Sequence, residues 1–212
     1  MAAFACAAEY VNAKQSTCTA LVLSGGGSNG AWEAGVIHGL VNSENPEDYQ
    51  WDVVTGVSAG SINSAFLSVF DKGDEVKASE WIVKQWSSLK NENLYTDWPL
   101  GILQSFINKQ SIYDTSVGVE YLRNLLSQFP NKFRRSVSVT AVDVNTAEPH
   151  TMTDKNTKFE EFQHAIMASA SIPLVFPPTY FQGKVLMDGG TMWNTNPQAA
   201  IDRCHELGVE DS

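Results

Sequence analysis

Residues 52–70 read Asp-Val-Val-Thr-Gly-Val-Ser-Ala-Gly-Ser-Ile-Asn-Ser-Ala-Phe-Leu-Ser-Val-Phe. Val53 and Val54 supply an apolar strand, and Ile62, Ala65, Phe66, Val69 and Phe70 recur afterwards at helical spacing. Between them stands Gly56-Val57-Ser58-Ala59-Gly60, a Gly-x-Ser-x-Gly pattern at a strand-to-helix junction. Such a turn lifts the middle serine hydroxyl clear of a sheet, and its glycines let neighbouring backbone pass close. Ser58 is the candidate nucleophile. The plainer reading is a Gly/Ser turn between two core elements.

Upstream, Thr19 to Leu23 forms a short apolar strand, followed by Ser24-Gly25-Gly26-Gly27-Ser28-Asn29-Gly30 and a helical run from Ala31 to Leu40. Bare backbone amides and a helix N-terminus at one spot suit an anion, which in a serine hydrolase is the oxyanion of the tetrahedral intermediate. Gly25, Gly27 and Gly30 also satisfy Gly-x-Gly-x-x-Gly, so a dinucleotide-binding fold is the rival. That fold wants an acidic residue at the end of the next strand. Asp52 to Thr55 instead runs into Gly56-Val57-Ser58, with no carboxylate there for a ribose.

A hydrolytic serine needs a base. His38 and His164 fall inside helical patterns, His150 follows Pro149 in a turn, and His205 lies in a polar C-terminal helix. The stronger candidate is Asp188, which with Gly189 and Gly190 ends the apolar strand Lys184 to Met187. Strand ends line the crevice of an open α/β sheet, so those at Ser24, Thr55 and Met187 are expected to converge. A carboxylate takes a serine proton when burial raises its pKa toward the working pH. A triad of Ser58, Asp143 or Asp188, and His205 stays open as the alternative.

The three motifs in this order resemble the patatin-like phospholipase family. Ala168-Ser169-Ala170-Ser171-Ile172-Pro173 with Phe176-Pro177-Pro178 also looks like that family's segment before its aspartate, and the resemblance covers roughly residues 19–205. It implies a Ser58–Asp188 dyad without histidine, acting through an acyl-enzyme on phospholipids and related lipids, with no cofactor. By the family's pattern the oxyanion hole comes from the Gly25-Gly26-Gly27 stretch and the amide of Ala59, with Gly30, Gly56, Gly60, Gly189 and Gly190 supporting the motifs. The third motif is often Asp-Gly-Ala in the family and is Asp-Gly-Gly here. The family continues further after this motif, which leaves open that the chain is a fragment. A lipid-binding module that keeps the fold without turnover is a second alternative; both dyad residues standing in their motifs argue against it.

The alternation of strands and helices in 212 residues, 43% hydrophobic and 18% charged, fits a three-layer α/β/α domain with a mainly parallel central sheet. Strands are expected near 19–24, 52–55, 135–143, 149–153 and 184–187. Helices are expected near 29–42, 59–70, 74–89, 99–107, 117–128, 159–169 and 197–206. No repeat or linker divides the chain, so residues 19–212 read as one hydrolase domain behind an extension at 1–18.

A net charge of −10 disfavours nucleic acid and electrostatic docking on anionic membranes. The partner implied is a lipid ester met at a membrane or micelle surface through apolar contact; oligomeric state is undetermined. Trp81 to Tyr113 is rich in large apolar groups and reads either as helices packed on the sheet or as a lid over an acyl-chain cleft. Lys132, Arg134 and Arg135 read as a solvated loop.

No run approaches the roughly 18 apolar residues that span a bilayer, so a soluble protein is expected, cytoplasmic or secreted. Ala2 to Ala8 hints at the end of a secretory signal but lacks a basic region. Cys6, Cys18 and Cys204 lack metal-site spacing; a disulfide between Cys18 and Cys204 is conceivable in an oxidising compartment, where it would staple the two ends, and in a reducing one both would be inert small apolar side chains.

Overall fold

Alternating Ser/Thr and Val/Ala in Ser136-Val-Ser-Val-Thr-Ala-Val-Asp143 produces the longest strand and decides which helix covers which face. The computed structural model describes residues 17–99, 111–130 and 132–209. In chain order the elements are β1 (Ala20–Leu23), α1 (Gly30–Val41), β2 (Val53–Val57), α2 (Ala59–Ser68), α3 (Glu75–Ser88), β3 (Thr96–Asp97) and β4 (Tyr113–Asp114). They continue as α4 (Ser116–Leu126), β5 (Ser136–Asp143), β6 (Pro149–Thr153), α5 (Phe162–Ser169), β7 (Thr179–Phe181), β8 (Lys184–Asp188) and α6 (Pro197–Glu206). The expected helix at 99–107 falls almost wholly on residues outside the described set.

The main sheet runs β1-β2-β5-β8-β7, with β6 also bonded to β5. Strands β1, β2 and β5 are parallel neighbours, while β6, β7 and β8 add antiparallel pairings. Val137, Val139 and Ala141 of β5 face the hydrophobic core built with Ala65 and Phe66 of α2 and Phe162 and Ile166 of α5. Ser136 and Thr140, on the opposite face, accept hydrogen bonds from Arg203 and Asn196 at α6. The sheet therefore lies between α2 and α5 on one side and α6 on the other, the expected three layers.

The sheet brings strand ends together differently from expectation. β6 bonds β5 over Val142 to Ser138, so β2 and β8, whose pairings overlap that stretch, share the other edge of β5. There β2 ends with Val57 opposite Thr140, and β8, running the other way, ends with Asp188 opposite Ala141. The two C-terminal ends meet head-on at consecutive residues of β5. Ser58 and Asp188 are thereby neighbours although β8 is antiparallel rather than parallel.

Arg135 corrects the reading of a solvated basic loop. It is 7% exposed, pairs with Glu75 at 2.6 Å, and donates to the carbonyls of Trp51, Phe70 and Asp71. A guanidinium with five donors satisfies that many acceptors in one place, tying the start of β5 to the end of α2 and the start of α3. Cys18, just before β1, is disulfide-bonded to Cys204 of α6, with the Cα atoms 5.8 Å apart. Among the described residues no helix is long and apolar enough to cross a membrane.

Candidate active site

Ser58 occupies the corner between β2 and α2 with φ 53° and ψ −122°, a backbone region that L-residues seldom adopt. Two close approaches force the corner. A Cβ on Gly56 would lie 2.1 Å from the Gly60 carbonyl oxygen, and one on Gly60 would lie 2.7 Å from the Leu23 carbonyl carbon. Only glycines let α2 start against the end of β1 and throw the Ser58 side chain outward.

The Ser58 hydroxyl donates to Asp188 Oδ2 at 2.6 Å. Asp188 Oδ1 accepts the Gly190 N–H at 2.7 Å, and Ser58 and Asp188 are buried, at 6% and 5% exposure. Burial raises the Asp188 pKa above the usual carboxylate value, against the lowering effect of the bonds from Ser58 and Gly190. Gly189 is required because a Cβ there would lie 2.3 Å from the Thr140 carbonyl oxygen, where β2 and β8 meet.

The glycine-rich segment folds over this pair. A Cβ on Gly25 would lie 2.9 Å from Ser58 Cβ and 2.4 Å from Asn194 Oδ1. Gly25 is clasped by Asn194, its N–H donating to the Asn194 carbonyl at 3.0 Å and its carbonyl accepting from Asn194 Nδ2 at 2.9 Å. Its amide is therefore engaged, and Gly25 acts as a spacer against the serine rather than as a donor. The amides of Gly26 and Gly27 have no acceptor among the described residues. Gly27 and Ala59, the first residue of α2, line the same cleft as Ser58.

Glu33, in the first turn of α1, holds this segment from behind. Its carboxylate accepts the Ser24 N–H at 3.1 Å and Asn63 Nδ2 at 2.8 Å, while Asn63 Oδ1 accepts the Trp86 indole N–H at 2.7 Å. Desolvation raises the Glu33 pKa, partly offset by those two bonds. Nothing in the sequence pattern marks Glu33, Asn63 or Asn194; each acts through a partner remote in sequence. Gly30 lies flat beneath Trp86, where a Cβ would come within 2.5 Å of the ring.

Ser58 opens into a cleft of about 380 Å³ lined by Ile62, Trp86, Leu89, Leu94, Tyr95, Ile172 and Phe176, with Lys90 and Asn91 also on its wall. That is within the range of small-molecule sites, and its walls suit an apolar chain. Trp81 instead packs edge-on against Phe66 and Phe129 in the core. The apolar segment thus divides between packing and cleft wall; Leu100, Ile102, Leu103, Phe106 and Ile107 lie outside the described residues.

Three of the histidines and Asp143 are engaged with other partners. His38 pairs with Ser79 and His150 with Gln182, while His164 lies against the Phe181 ring. Asp143 is paired with Lys184 at 2.8 Å, which holds its pKa below the usual value. Among the described residues no group of three or more His, Cys, Asp or Glu is placed to hold a metal ion.

No curated protein matches the chain. Among solved structures it is similar to VipD from Legionella pneumophila, with 15% identity and a TM-score of 0.48, over 85% of this chain and 47% of that one. The chain thus spans less than half the length of that protein. A family model described as patatin-like phospholipase matches residues 21–201, which contain all three glycine motifs and the Ser169–Pro178 stretch. The chain belongs to the patatin-like phospholipase family.

Proposed function

We propose that this chain hydrolyses acyl ester bonds of phospholipids or related lipids through a Ser58–Asp188 dyad, as a phospholipase A or carboxylic ester hydrolase. The observation that carries this reading is the 2.6 Å hydrogen bond from the Ser58 hydroxyl to a buried carboxylate beside an apolar cleft. Ser58 Oγ attacks the ester carbonyl carbon while its proton passes to Asp188 Oδ2. The oxyanion that forms is met by the amides of Gly26, Gly27 and Ala59, helped by the positive end of α2. The bond to the leaving alcohol breaks as Asp188 returns the proton. Water then attacks the acyl-Ser58 ester, giving a proton to Asp188; the acyl–Oγ bond breaks as Asp188 passes that proton to Ser58 Oγ, and the free fatty acid leaves. No step requires a cofactor.

Gly56, Gly60 and Gly189 serve this chemistry by admitting neighbouring backbone, and Gly25, Gly30 and Gly190 by admitting neighbouring side chains, where a Cβ would stand. Residues 19–212 act in this reading as one catalytic domain behind an extension at 1–18. Lipid is met at a membrane or micelle surface by apolar contact, since the net charge of −10 gives no general attraction to anionic headgroups. Intact-protein mass spectrometry after fluorophosphonate treatment tests the proposal. One adduct is expected on the wild type, mapping to Ser58 and absent from Ser58→Ala; well-folded wild type without an adduct would reject it.

A further inference from the structure

We propose that the turn Ser169–Ser171, at the end of α5, is the positioning element of the dyad, with the Ser169 hydroxyl holding the nucleophile's backbone in place. The inference rests on the dyad reading and adds to it a residue that touches neither substrate nor the reacting atoms.

Three hydrogen bonds carry it. The Ser58 N–H donates to Ser169 Oγ at 2.9 Å, Ser169 Oγ donates to the Thr140 carbonyl at 2.6 Å, and the Asp188 N–H donates to the Ser171 carbonyl at 2.9 Å. One three-residue segment thus grips the main chain of nucleophile and base alike, at the point where β2 and β8 meet on β5. Ser169 and Ser171 are 0% and 1% exposed, so no water replaces these bonds cheaply.

The polarity of the Ser169 hydroxyl is fixed. Its only proton goes to Thr140, so it faces Ser58 as an acceptor. A serine at φ 53° persists only where its surroundings over-determine it, and this acceptor directs its amide inward while the side chain turns toward Asp188. Ser169→Ala leaves both the Ser58 N–H and the Thr140 carbonyl without that partner in a dry site. Relaxation of the corner then moves Ser58 Oγ off the Asp188 line, and a displacement of about 1 Å costs on the order of 100-fold in rate. Ser169 does not line the cleft, whereas its neighbours Ala170 and Ile172 do. Substrate binding should therefore be spared.

The experiment compares wild type, Ser169→Ala, Ser169→Thr and Ser58→Ala by fluorophosphonate labelling rate and by kcat and KM on a soluble p-nitrophenyl ester, with folding checked by circular dichroism. For Ser169→Ala, labelling rate and kcat are expected to fall about 100-fold with KM nearly unchanged, and Ser169→Thr, which keeps the hydroxyl, is expected to recover most of the loss. A folded Ser169→Ala that labels at the wild-type rate overturns the proposal, as does a Ser169→Thr no better than the alanine variant. If Ser169→Ala does not fold, Ser169→Cys replaces it: sulfur is a weak acceptor, so a reduced rate supports the proposal and a wild-type rate rejects it. A wild type that takes no adduct at Ser58 sinks the dyad reading itself, a result distinct from any of these.

Discussion

In the proposed mechanism, stability and catalysis pull in opposite directions at Asp188. Burial makes the ionised carboxylate costly, yet only the ionised form takes the Ser58 proton. Because its folded pKa lies above the unfolded value, the native state binds the proton more tightly. Stability is therefore greatest below the unfolded carboxylate range, declines as pH rises through the window up to the raised pKa, and stays lower above it. Asp188→Asn should keep the fold and melt at or above the wild-type temperature at pH 8, with the difference vanishing near pH 4. A wild type that gains stability relative to the variant on alkalisation would contradict the burial argument. Activity follows the opposite sign: the acid limb of kcat/KM should sit above the ordinary carboxylate value of about 3.9. In Asp188→Asn turnover should fall roughly 10²- to 10⁴-fold, the usual share of a general base. Both residues were legible in the sequence because each stands at a strand end flanked by glycines. The stretch holding Ser169 was visible, but the roles of Ser169, Glu33 and Asn194 were not, because they depend on contacts 111, 9 and 169 residues away.

The same Gly→Ala change should have opposite signs in two helices. In α2, a Cβ on Gly60 would lie 2.7–2.8 Å from the backbone of Leu23 and Ser24, so α2 must back away from β1 and carry Ser58 with it. Gly60→Ala should cost about 1–3 kcal/mol in urea unfolding and cut turnover by about 100-fold. In α1, Gly35 has nothing within 4 Å of a Cβ, and Gly35→Ala should stabilise by about 0.5–1 kcal/mol with activity intact. Equal effects at the two sites would refute the packing account of the nucleophile corner. The Arg135–Glu75 pair offers a second test: Arg135→Ala strands a carboxylate that is 3% exposed, and should cost about 3–5 kcal/mol by the same unfolding assay. Among the described residues the helix positions were legible because the apolar period is a local signal. Strand β7 was missed because its hairpin turns through Gln182 at φ 49° and Gly183 at φ 74°, and glutamine in the first of two positive-φ positions hides the usual Asn-Gly signal. The antiparallel sense of β8 was hidden for a related reason: a strand's residues state that it pairs, while its direction depends on the connection before it.

Across the whole molecule, the Cys18–Cys204 disulfide closes a loop with a sequence separation of 186, fastening α6 to the start of β1. The spacing alone showed only that such a staple was conceivable; the layer order, with α6 crossing the back of β1 and β2, brings the two cysteines together. In the chain-entropy account a loop of this length contributes about 5 kcal/mol, and measured disulfides commonly give about 2–4 kcal/mol. α6 has other anchors, since Arg203 pairs with Asp154 at 2.6 Å and Asn196 bonds both Thr140 and the Ala199 amide. Reduction should therefore lower the melting temperature without unfolding the protein at 25 °C. The dyad is held by β5 and α5 on the far face, so turnover per folded molecule should stay within about twofold of the oxidised protein. Thiol titration of denatured, unreduced protein should not detect Cys18 or Cys204, and both should appear after dithiothreitol. Three free thiols before reduction would remove the staple from the account. A melting point indifferent to dithiothreitol, with the bond shown to be broken, would mean that the contacts of α6 alone close the fold.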